Sequence, residues 1–382
     1  MKRFASIILS FILILNFTIT SLANEKQDID KIISDTIEYV YETVKSPQFG
    51  SIGGEWTVIA LARSNTKIPP KYYQDYYNGI EEYVRSKQGV LHKRKYTEYS
   101  RLILSLTAIG KNPQDVAGYN LLVPLGDYKK TIWQGINGAI WALISLDSGN
   151  YEIPKNPEAE IQATREMYVE HILSCQLGDG GWSLLGRSKS ADDGKITSDP
   201  DITAMAVQAL SKYQDMPRVK DAIDKALGTM SENQDEKGGF SSWGCENSES
   251  CVQMIVALCE LGISIDDTRF VKNDYTIIDN LLCYYNEGKG FKHTLEEDNS
   301  NLMATEQALY GLIAYQRMIS KKSSLYKMDD VITIAQKDND IEKAESKFSI
   351  DKRESVLSMD FENITKYSIR DMIKLLAGSV LK

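Results

Sequence analysis

Two carboxylates stand two residues apart in the stretch SDPDITAMAVQAL, at Asp199 and Asp201. Carboxylates held close together repel each other, so one of them keeps its proton to a higher pH and can act as a general acid. The same stretch also suits a helix start: Asp199 fits an N-cap, Pro200 fits the first helical position, and the helix dipole favours a carboxylate in the first turn. Asp199 and Asp201 are therefore candidate catalytic residues, and a purely structural role for both stays open.

The same arrangement recurs in two later stretches. Aligning the apolar residues that follow places Asn247 and Asn301 at the position of Asp199, and Glu249 at that of Asp201. Asn and Asp are preferred N-cap residues, so we expect each of these positions to begin a helix. Glu249 shares the two interpretations of Asp201, either a partner of the helix dipole or an acid that faces a ligand.

Charged residues also occur inside stretches that are otherwise apolar. Glu55, Glu98 and Arg101 lie in the first two such stretches, and Glu306 lies in the last. Burying a charge without a partner is costly. Glu98 and Arg101 are three residues apart and can pair on one helix face. The alternative is that these charges line a cavity.

One aligned position in the apolar stretches combines aromatic, cationic and amide side chains, a mixture that is unusual for packing alone. Its members are Trp56, Arg101, Gly138, Gln253 and Gln307. The predicted ligand site combines residues from this position with the charged residues named above and with Tyr99 and Asn137. The candidate ligand-binding residues are Glu55, Trp56, Glu98, Tyr99, Arg101, Asn137, Glu249, Gln253, Glu306 and Gln307.

Aromatic residues are candidate walls for a flat or apolar ligand. The five considered are Trp56, Tyr99, Trp141, Trp182 and Trp243. For Trp182 and its counterpart Phe240 a structural interpretation is favoured, since each follows a Gly pair and can fill a turn between two helices.

The elements that must position these residues alternate between two types. Six stretches are apolar nearly all round: 55–63, 97–110, 137–146, 202–213, 251–262 and 303–315. Six others are amphipathic or have one apolar face: 26–45, 70–86, 112–125, 157–176, 217–233 and 269–286. A helix that is apolar on every side must be buried all round, whereas a one-faced helix lies at the surface.

The apolar stretches also align with each other. One position is always leucine, at 61, 106, 143, 210, 258 and 312, and the residue before it is always small. Small residues let neighbouring helices approach closely. The chain is therefore predicted to be all-α, an (α/α)6 toroid over residues 24–319 with six inner and six outer helices. The long connections all precede inner helices, so we expect a funnel at the inner-helix N-termini.

The turns QLGDGGW (176–182) and QDEKGGF (234–240) resemble the Q-x-x-x-G-x-W repeat of the terpenoid cyclase and protein prenyltransferase superfamily. The segments SDPDITAMAVQAL, GGFSSWG and MATEQALYGLIAYQR are similar to secreted bacterial prenyltransferase/squalene-cyclase repeat proteins. The resemblance covers about residues 26–318. It implies the toroid fold, and it extends to cobalamin carriers of the intrinsic factor and transcobalamin type, which bind a ligand without chemistry.

The catalytic signatures of that superfamily are incomplete in this chain. The D-x-D-D acid of class II cyclases is nearest at Asp199-Pro200-Asp201-Ile202, which lacks the last Asp. The D-x-C zinc ligands of the prenyltransferases are missing, as is the thioester sequence of complement-type toroids. We therefore predict no metal and no cofactor, and whether the protein is an enzyme stays uncertain.

The two ends of the chain differ from the rest. Residues 1–23 combine Lys2 and Arg3 with an apolar run and a small-residue cleavage site, which predicts a secretory signal peptide. Its removal leaves 42 basic and 53 acidic residues, a net charge of −11 that disfavours a nucleic-acid partner. No later stretch is predicted to span a membrane. Residues 320–382 form a charged, helix-prone tail that could dock a protein partner.

The five cysteines are too few for a disulfide scaffold. Cys245 and Cys251 flank one loop and could pair outside the cell, but small buried thiols are the favoured interpretation.

The predicted function is extracytoplasmic binding of a small or medium-sized ligand in the funnel, and the resemblance to the carriers makes a corrinoid the leading named candidate. One alternative is an enzyme, either of the cyclase/prenyltransferase superfamily or an extracellular carbohydrate-active hydrolase or lyase, with Asp201 as the acid. Another is a protein-interaction scaffold whose ring is filled.

Overall fold

The computed structural model describes residues 29–184 and 197–331. Their helices are α1 (29–43), α2 (Trp56–Arg63), α3 (Pro70–Ser86), α4 (Thr97–Ala108), α5 (Tyr128–Thr131), α6 (Ile136–Ser148), α7 (Arg165–Ser174), α8 (Pro200–Leu210), α9 (Pro217–Asn233), α10 (Ser248–Leu261), α11 (Ile277–Leu282) and α12 (Leu302–Ile319). In this part of the chain the only sheet is the two-stranded antiparallel pair β1 (Ser241–Ser242) and β2 (Cys245–Glu246). The all-α prediction is confirmed. The predicted signal peptide and residues 332–382 of the predicted tail lie outside the described residues.

The six apolar stretches form α2, α4, α6, α8, α10 and α12. Each of these helices packs against the next, and α12 packs against α2, so that the contacts form a closed cycle. The aligned leucines are all fully or almost fully buried, from Leu61 to Leu312. Gly311 shows why the neighbouring position is small, because an added Cβ would lie 3.0 Å from a methyl group of Val252 on α10.

The predicted set of six outer helices is only partly correct. Residues 112–125 do not form a helix. An isolated bridge joins Val116 to Tyr119 around Ala117 and Gly118, which have φ angles of 54° and 88°, and a 3₁₀ turn follows at Val123–Gly126. Left-handed backbone cannot continue a right-handed helix. The stretches 157–176 and 269–286 are helical only over α7 and α11.

The predicted N-caps are confirmed. Asp199 accepts a hydrogen bond from the Ile202 amide at 3.1 Å, and Asn247 accepts one from the Ser250 amide at 2.9 Å. Asn301 does the same for two amides at the start of α12. These side chains satisfy N–H groups that have no partner within the helix, which fixes where α8, α10 and α12 begin.

The glutamines of the two Gly-Gly-aromatic turns hold the turns to their neighbours. Gln234 donates from Nε2 to the carbonyl oxygens of Gly238 and Phe270 at 2.9 and 3.0 Å. Trp182 is fully buried and donates from Nε1 to the Ile172 carbonyl at 2.7 Å, and Phe240 is 2% exposed. The two aromatic residues therefore fill the turns and do not face a ligand.

Gly238→Ala is expected to destabilise the protein by about 2–4 kcal/mol. Gly238 has a φ of 82°, which costs a side-chain-bearing residue about 1–2 kcal/mol, and its Cβ would lie 2.6 Å from the Thr276 carbonyl oxygen. Gly244→Ala is the matched control, because φ is 78° there but nothing lies within 4 Å of the added atom. Urea unfolding of both variants checks this, and equal losses would show that the close approach to Thr276 is unimportant.

The compact unit that contains the helices reaches Val331. Residues 323–331, the closing segment, pack on the last turns of α2 and α12. Arg63 donates to Leu325, Ser324 and Lys327 carbonyl oxygens at 2.8–3.0 Å and pairs with Asp330 at 2.7 Å. Arg317 also pairs with Asp330. Arg63 and Arg317 are 2% and 4% exposed, whereas the Asp330 side chain is 37% exposed, so the two guanidinium groups are buried and the carboxylate reaches the surface.

Within the described residues, no helix is long and apolar enough to cross a membrane. Cys175, Cys245, Cys251, Cys259 and Cys283 form no disulfide within the described residues. Cys245 is exposed whereas Cys251 is fully buried and donates to the Asn280 side chain. The buried-thiol interpretation therefore holds for Cys251, and the disulfide alternative does not.

Candidate functional site

A cavity of about 500 Å³ lies where α2, α4, α6, α8, α10 and α12 converge. It is lined by Trp56, Thr97, Arg101, Gln134, Asn137, Trp141, Leu184, Asp201, Met205, Glu249, Gln253, Gln307 and Tyr310. All six helices contribute, mostly from the first two turns. Its volume is in the range of cavities that bind small organic molecules.

The spacing of the lining residues follows from helix geometry. Asn137 and Trp141 on α6 are four residues apart. The same spacing separates Asp201 from Met205 on α8 and Glu249 from Gln253 on α10. Residues four apart lie on the same helix face, one turn above the other. α4, α6, α8 and α10 therefore each present one side chain near the N-terminus and one a turn deeper, whereas α2 contributes Trp56 alone and α12 contributes Gln307 and Tyr310.

Asp201 is the titratable group of α8 that faces the cavity. Burial raises the pKa of Asp201 from 3.8 to about 6, opposed by hydrogen bonding to Ser250 and assisted by repulsion from Asp199 and Glu249. Its Oδ1 is buried and has no hydrogen-bond partner. A carboxyl group in this condition still holds its proton near pH 5, as a general acid must at its working pH.

Glu249 is almost fully buried and contacts a histidine at the edge of the site. Its Oε2 lies 2.8 Å from Nδ1 of His293, whose amide in turn donates to Glu297. Its Oε1 has no partner. A carboxylate that accepts from Nδ1–H holds an imidazole in the tautomer whose Nε2 accepts protons. His293 is 36% exposed, so Nε2 of this pair can reach solvent or a ligand.

The wall between α10 and α12 is an amide and phenol network. Gln253 donates from Nε2 to Gln307 Oε1 at 3.0 Å and to the Tyr310 hydroxyl at 2.7 Å, and Tyr310 donates to Gln307 Oε1 at 3.0 Å. Gln208 of α8 donates to the Gln253 carbonyl at 2.8 Å. These bonds fix the amide orientations, so this wall is preorganised.

Aromatic rings form another part of the lining. The rings of Trp56 and Trp141 meet edge to face with centroids 5.2 Å apart, and Trp56 lies 5.5 Å from Tyr310. The Trp141 ring also contacts Tyr326 of the closing segment, at 6.2 Å. The cavity therefore places an apolar, π-rich surface among carboxylates and amides.

Two buried glutamates hold the loop that leads into α2. Glu55 accepts from the Gly50 amide at 3.1 Å and from Nε of Arg101 at 2.8 Å. Glu306 accepts from the Gly53 amide at 2.9 Å and from the Thr57 hydroxyl. Burial raises the pKa of both carboxyls, that of Glu306 to about 7. Glu55 and Glu306 are not among the residues that line the cavity.

Several predicted site residues meet in the cavity: Trp56, Arg101, Asn137, Asp201, Glu249, Gln253 and Gln307. Others do not line it: Asp199 is an N-cap, Glu55 and Glu306 hold a loop, and Glu98 is half-buried away from the lining. Arg101 pairs with Glu55 instead of Glu98. Tyr99 is buried, where its hydroxyl accepts from the Leu91 amide at 2.9 Å.

Of the five aromatic residues considered as walls, Trp56 and Trp141 line the cavity. Trp182 is internal, and Trp243 is 78% exposed in the β1–β2 turn. The sequence analysis missed Thr97, Gln134, Leu184, Met205, Tyr310 and His293. For Met205 a signal was available, since it stands one helical turn after Asp201.

The segments that lead into the six helices share a feature that the sequence analysis also missed. Each contains one large apolar side chain that is more than 40% exposed: Ile52, Val90, Trp133, Leu184, Trp243 and Leu295. Leu184 lines the cavity as well. The distance of these side chains from the start of the following helix varies from 3 to 16 residues, so they share the segment and not a fixed position.

A scan of the chain against protein-family models finds no match, and neither does a search of curated proteins. Residues 29–184 and 197–331 contain no group of three or more His, Cys, Asp or Glu side chains placed to hold a metal ion.

Proposed function

We propose that this chain is a secreted α/α toroid that binds a small organic ligand in the cavity among its inner helices. The cyclic packing of α2, α4, α6, α8, α10 and α12 supports the toroid, and the predicted signal peptide supports export. The proposed fold is that of the terpenoid cyclase and prenyltransferase superfamily, to which the Gly-Gly-aromatic turns are similar.

The observation that carries this proposal is that all six helices contribute to one open cavity with unpaired polar groups. Asn137 Oδ1, Asp201 Oδ1 and Glu249 Oε1 are buried without a partner. Native proteins rarely leave such groups unsatisfied unless a ligand or water completes them. An open cavity of this kind counts against the scaffold hypothesis, in which the ring is filled.

A corrinoid, the ligand suggested by the resemblance to the cobalamin carriers, is one ligand that this proposal covers. About 500 Å³ would enclose only part of so large a ligand, so the remainder would lie against the exposed apolar residues of the loops. Addition of cobalamin should then shift its absorbance spectrum and raise the melting temperature of the protein. Absence of both effects would exclude the corrinoid while leaving smaller ligands.

A ligand screen by thermal shift, on the chain from residue 24 onward, tests the proposal itself. A true ligand at 100 times its Kd stabilises the protein by about 2.7 kcal/mol. Asn137→Ala should reduce that shift because Asn137 lines the cavity. Asn78→Ala, on the exposed face of α3, is the control and should leave it unchanged. If hits shift both variants equally, the cavity is not the binding site.

An acid-catalysed enzyme is the second candidate, and the raised pKa of Asp201 favours it. Protonated Asp201 would donate to a glycosidic oxygen or an alkene, and the Glu249–His293 pair would accept a proton. Turnover of chromogenic glycosides would fall as the pH rises through about 6, where Asp201 loses its proton. Asp201→Asn should abolish that turnover without unfolding the protein. Retained turnover would show that Asp201 is not the general acid.

A further inference from the structure

The cavity wall carries an excess of negative charge. Asp201 and Glu249 both line it. Among the described lining residues the only cation is Arg101, and its Nε is already bound to Glu55, which is fully buried. Glu249 already contacts His293, whereas no ion pair of the described residues involves Asp201, so a positive charge in this open cavity would stabilise the two carboxylates.

The buried lining atoms that lack a hydrogen-bond partner point to the same ligand chemistry. They are Asn137 Oδ1, Asp201 Oδ1 and Glu249 Oε1, and all three are acceptors. The Glu249 side chain is 8% exposed, so solvent cannot easily satisfy it. A ligand that supplies N–H donors would complete these atoms, whereas one that supplies only acceptors would not.

The aromatic lining adds a third and independent feature. Trp56, Trp141 and Tyr310 form a cluster whose neighbouring ring centroids are 5.2 and 5.5 Å apart. Aromatic faces attract cations, by about 0.5–2 kcal/mol depending on solvent exposure, and Trp is the most effective. The same rings give apolar contact to the body of a ligand.

We propose that the ligand of this cavity is an organic cation, a protonated amine or quaternary ammonium group carried on an apolar body. This inference rests on the proposed binding function and specifies its ligand class. The cationic group lies between Asp201 and Glu249, and its apolar body packs on Trp56 and Trp141. A neutral polyol would satisfy the acceptors but leave Asp201 without a cationic partner, and an anion would be repelled by both carboxylates.

Three probes with the same phenyl body and different charge test this class. They are 2-phenylethylamine, which is protonated at about pH 8, neutral 2-phenylethanol and anionic 3-phenylpropanoate. Isothermal titration calorimetry at about pH 8, where Asp201 is ionised, should show the amine binding about tenfold or more tightly than the alcohol, since a charge-assisted contact adds about 1.4 kcal/mol or more. The anion should not bind.

Variants locate the charge effect. Glu249→Gln keeps the side-chain shape and should weaken amine binding about tenfold, with little change for the alcohol. Glu246→Gln is the matched control, because Glu246 is an exposed glutamate of β2 outside the cavity, and it should leave amine binding unchanged. Circular dichroism checks that each variant is folded.

Equal or tighter binding of the alcohol or the anion would overturn the inference of a cation while leaving a ligand-binding cavity in place. Amine binding that is unchanged in Glu249→Gln would overturn the assigned site. If no probe binds, the cation inference is overturned, and the unbiased ligand screen decides separately whether the binding function stands.

Discussion

Arg63→Met is expected to destabilise the protein by about 3–5 kcal/mol, among the largest losses for any single substitution in this chain. Arg63 is almost fully buried at the end of α2 and makes four hydrogen bonds to the closing segment, of which one is the ion pair with Asp330. Methionine fills a similar volume but leaves three carbonyl oxygens and a carboxylate with fewer donors. Breaking a buried polar contact from one side typically costs this much.

Equilibrium unfolding in urea measures the loss for Arg63→Met. Lys327→Met is the matched control, since its side chain is 67% exposed and its pairing with Asp329 at 3.3 Å is on the surface, where a substitution changes stability by about 0.5 kcal/mol or less. A loss below about 1 kcal/mol for Arg63→Met would show that the closing segment does not stabilise the helices. Its Tyr326 ring contacts Trp141, so a loosened segment should also disturb the cavity wall.

The sequence does not reveal the closing segment, and the reason is physical. Residues 323–331 are too few to show a helical or strand periodicity. Leu325, Tyr326 and Met328 are buried in the core, and the rest of the attachment depends on backbone carbonyls that accept from Arg63 and Arg317. A carbonyl is present at every residue, so it leaves no trace in the residue pattern. The arginines are visible in the sequence, but there they look like ordinary cations in the last turn of a helix, where the dipole favours them.

The inner helices are predictable because burial constrains every position of their sequence. An apolar stretch with leucine in register and a small residue before it can be satisfied by few arrangements, as the contact of Gly311 with Val252 shows. The outer elements have only one constrained face. At 112–125 a partial apolar pattern predicts a helix, although Pro113, Gly118 and Pro124 within the stretch favour turns.

The sequence predicts which residues of the candidate site share a helix face, but it does not predict which side chains they contact. Alignment of the repeats identifies Asp201, Glu249 and Gln253 because their positions follow from the N-cap. It cannot identify His293, which comes from a loop and meets Glu249 across 44 residues of sequence. It also pairs Arg101 with its near neighbour Glu98, whereas the ion pair forms with Glu55 on another helix.

The free energy of unfolding of Glu306→Gln is expected to rise relative to that of the natural protein as the pH rises from about 4 to about 8. Burial raises the pKa of Glu306 from 4.5 to about 7, so folding favours the protonated carboxyl. The stability that this group contributes is fully present below about pH 4.5 and is lost as the pH rises through about 7. Each pKa unit corresponds to about 1.4 kcal/mol, which gives a change of about 3 kcal/mol across this range.

Glutamine cannot ionise, and its Oε1 can still accept from the Gly53 amide and the Thr57 hydroxyl that Glu306 contacts. The difference in unfolding free energy between Glu306→Gln and the natural protein therefore isolates this one titration from those of all other groups. Glu38→Gln on the exposed face of α1 is the control and should show no pH-dependent difference. Parallel stability curves for Glu306→Gln and the natural protein would mean that folding does not raise the pKa of Glu306, so that the carboxylate is ionised at neutral pH. The ionised Glu306 carboxylate would then hold the loop at Gly53. This charge would lie on the second turn of α12, next to Gln307, which lines the cavity.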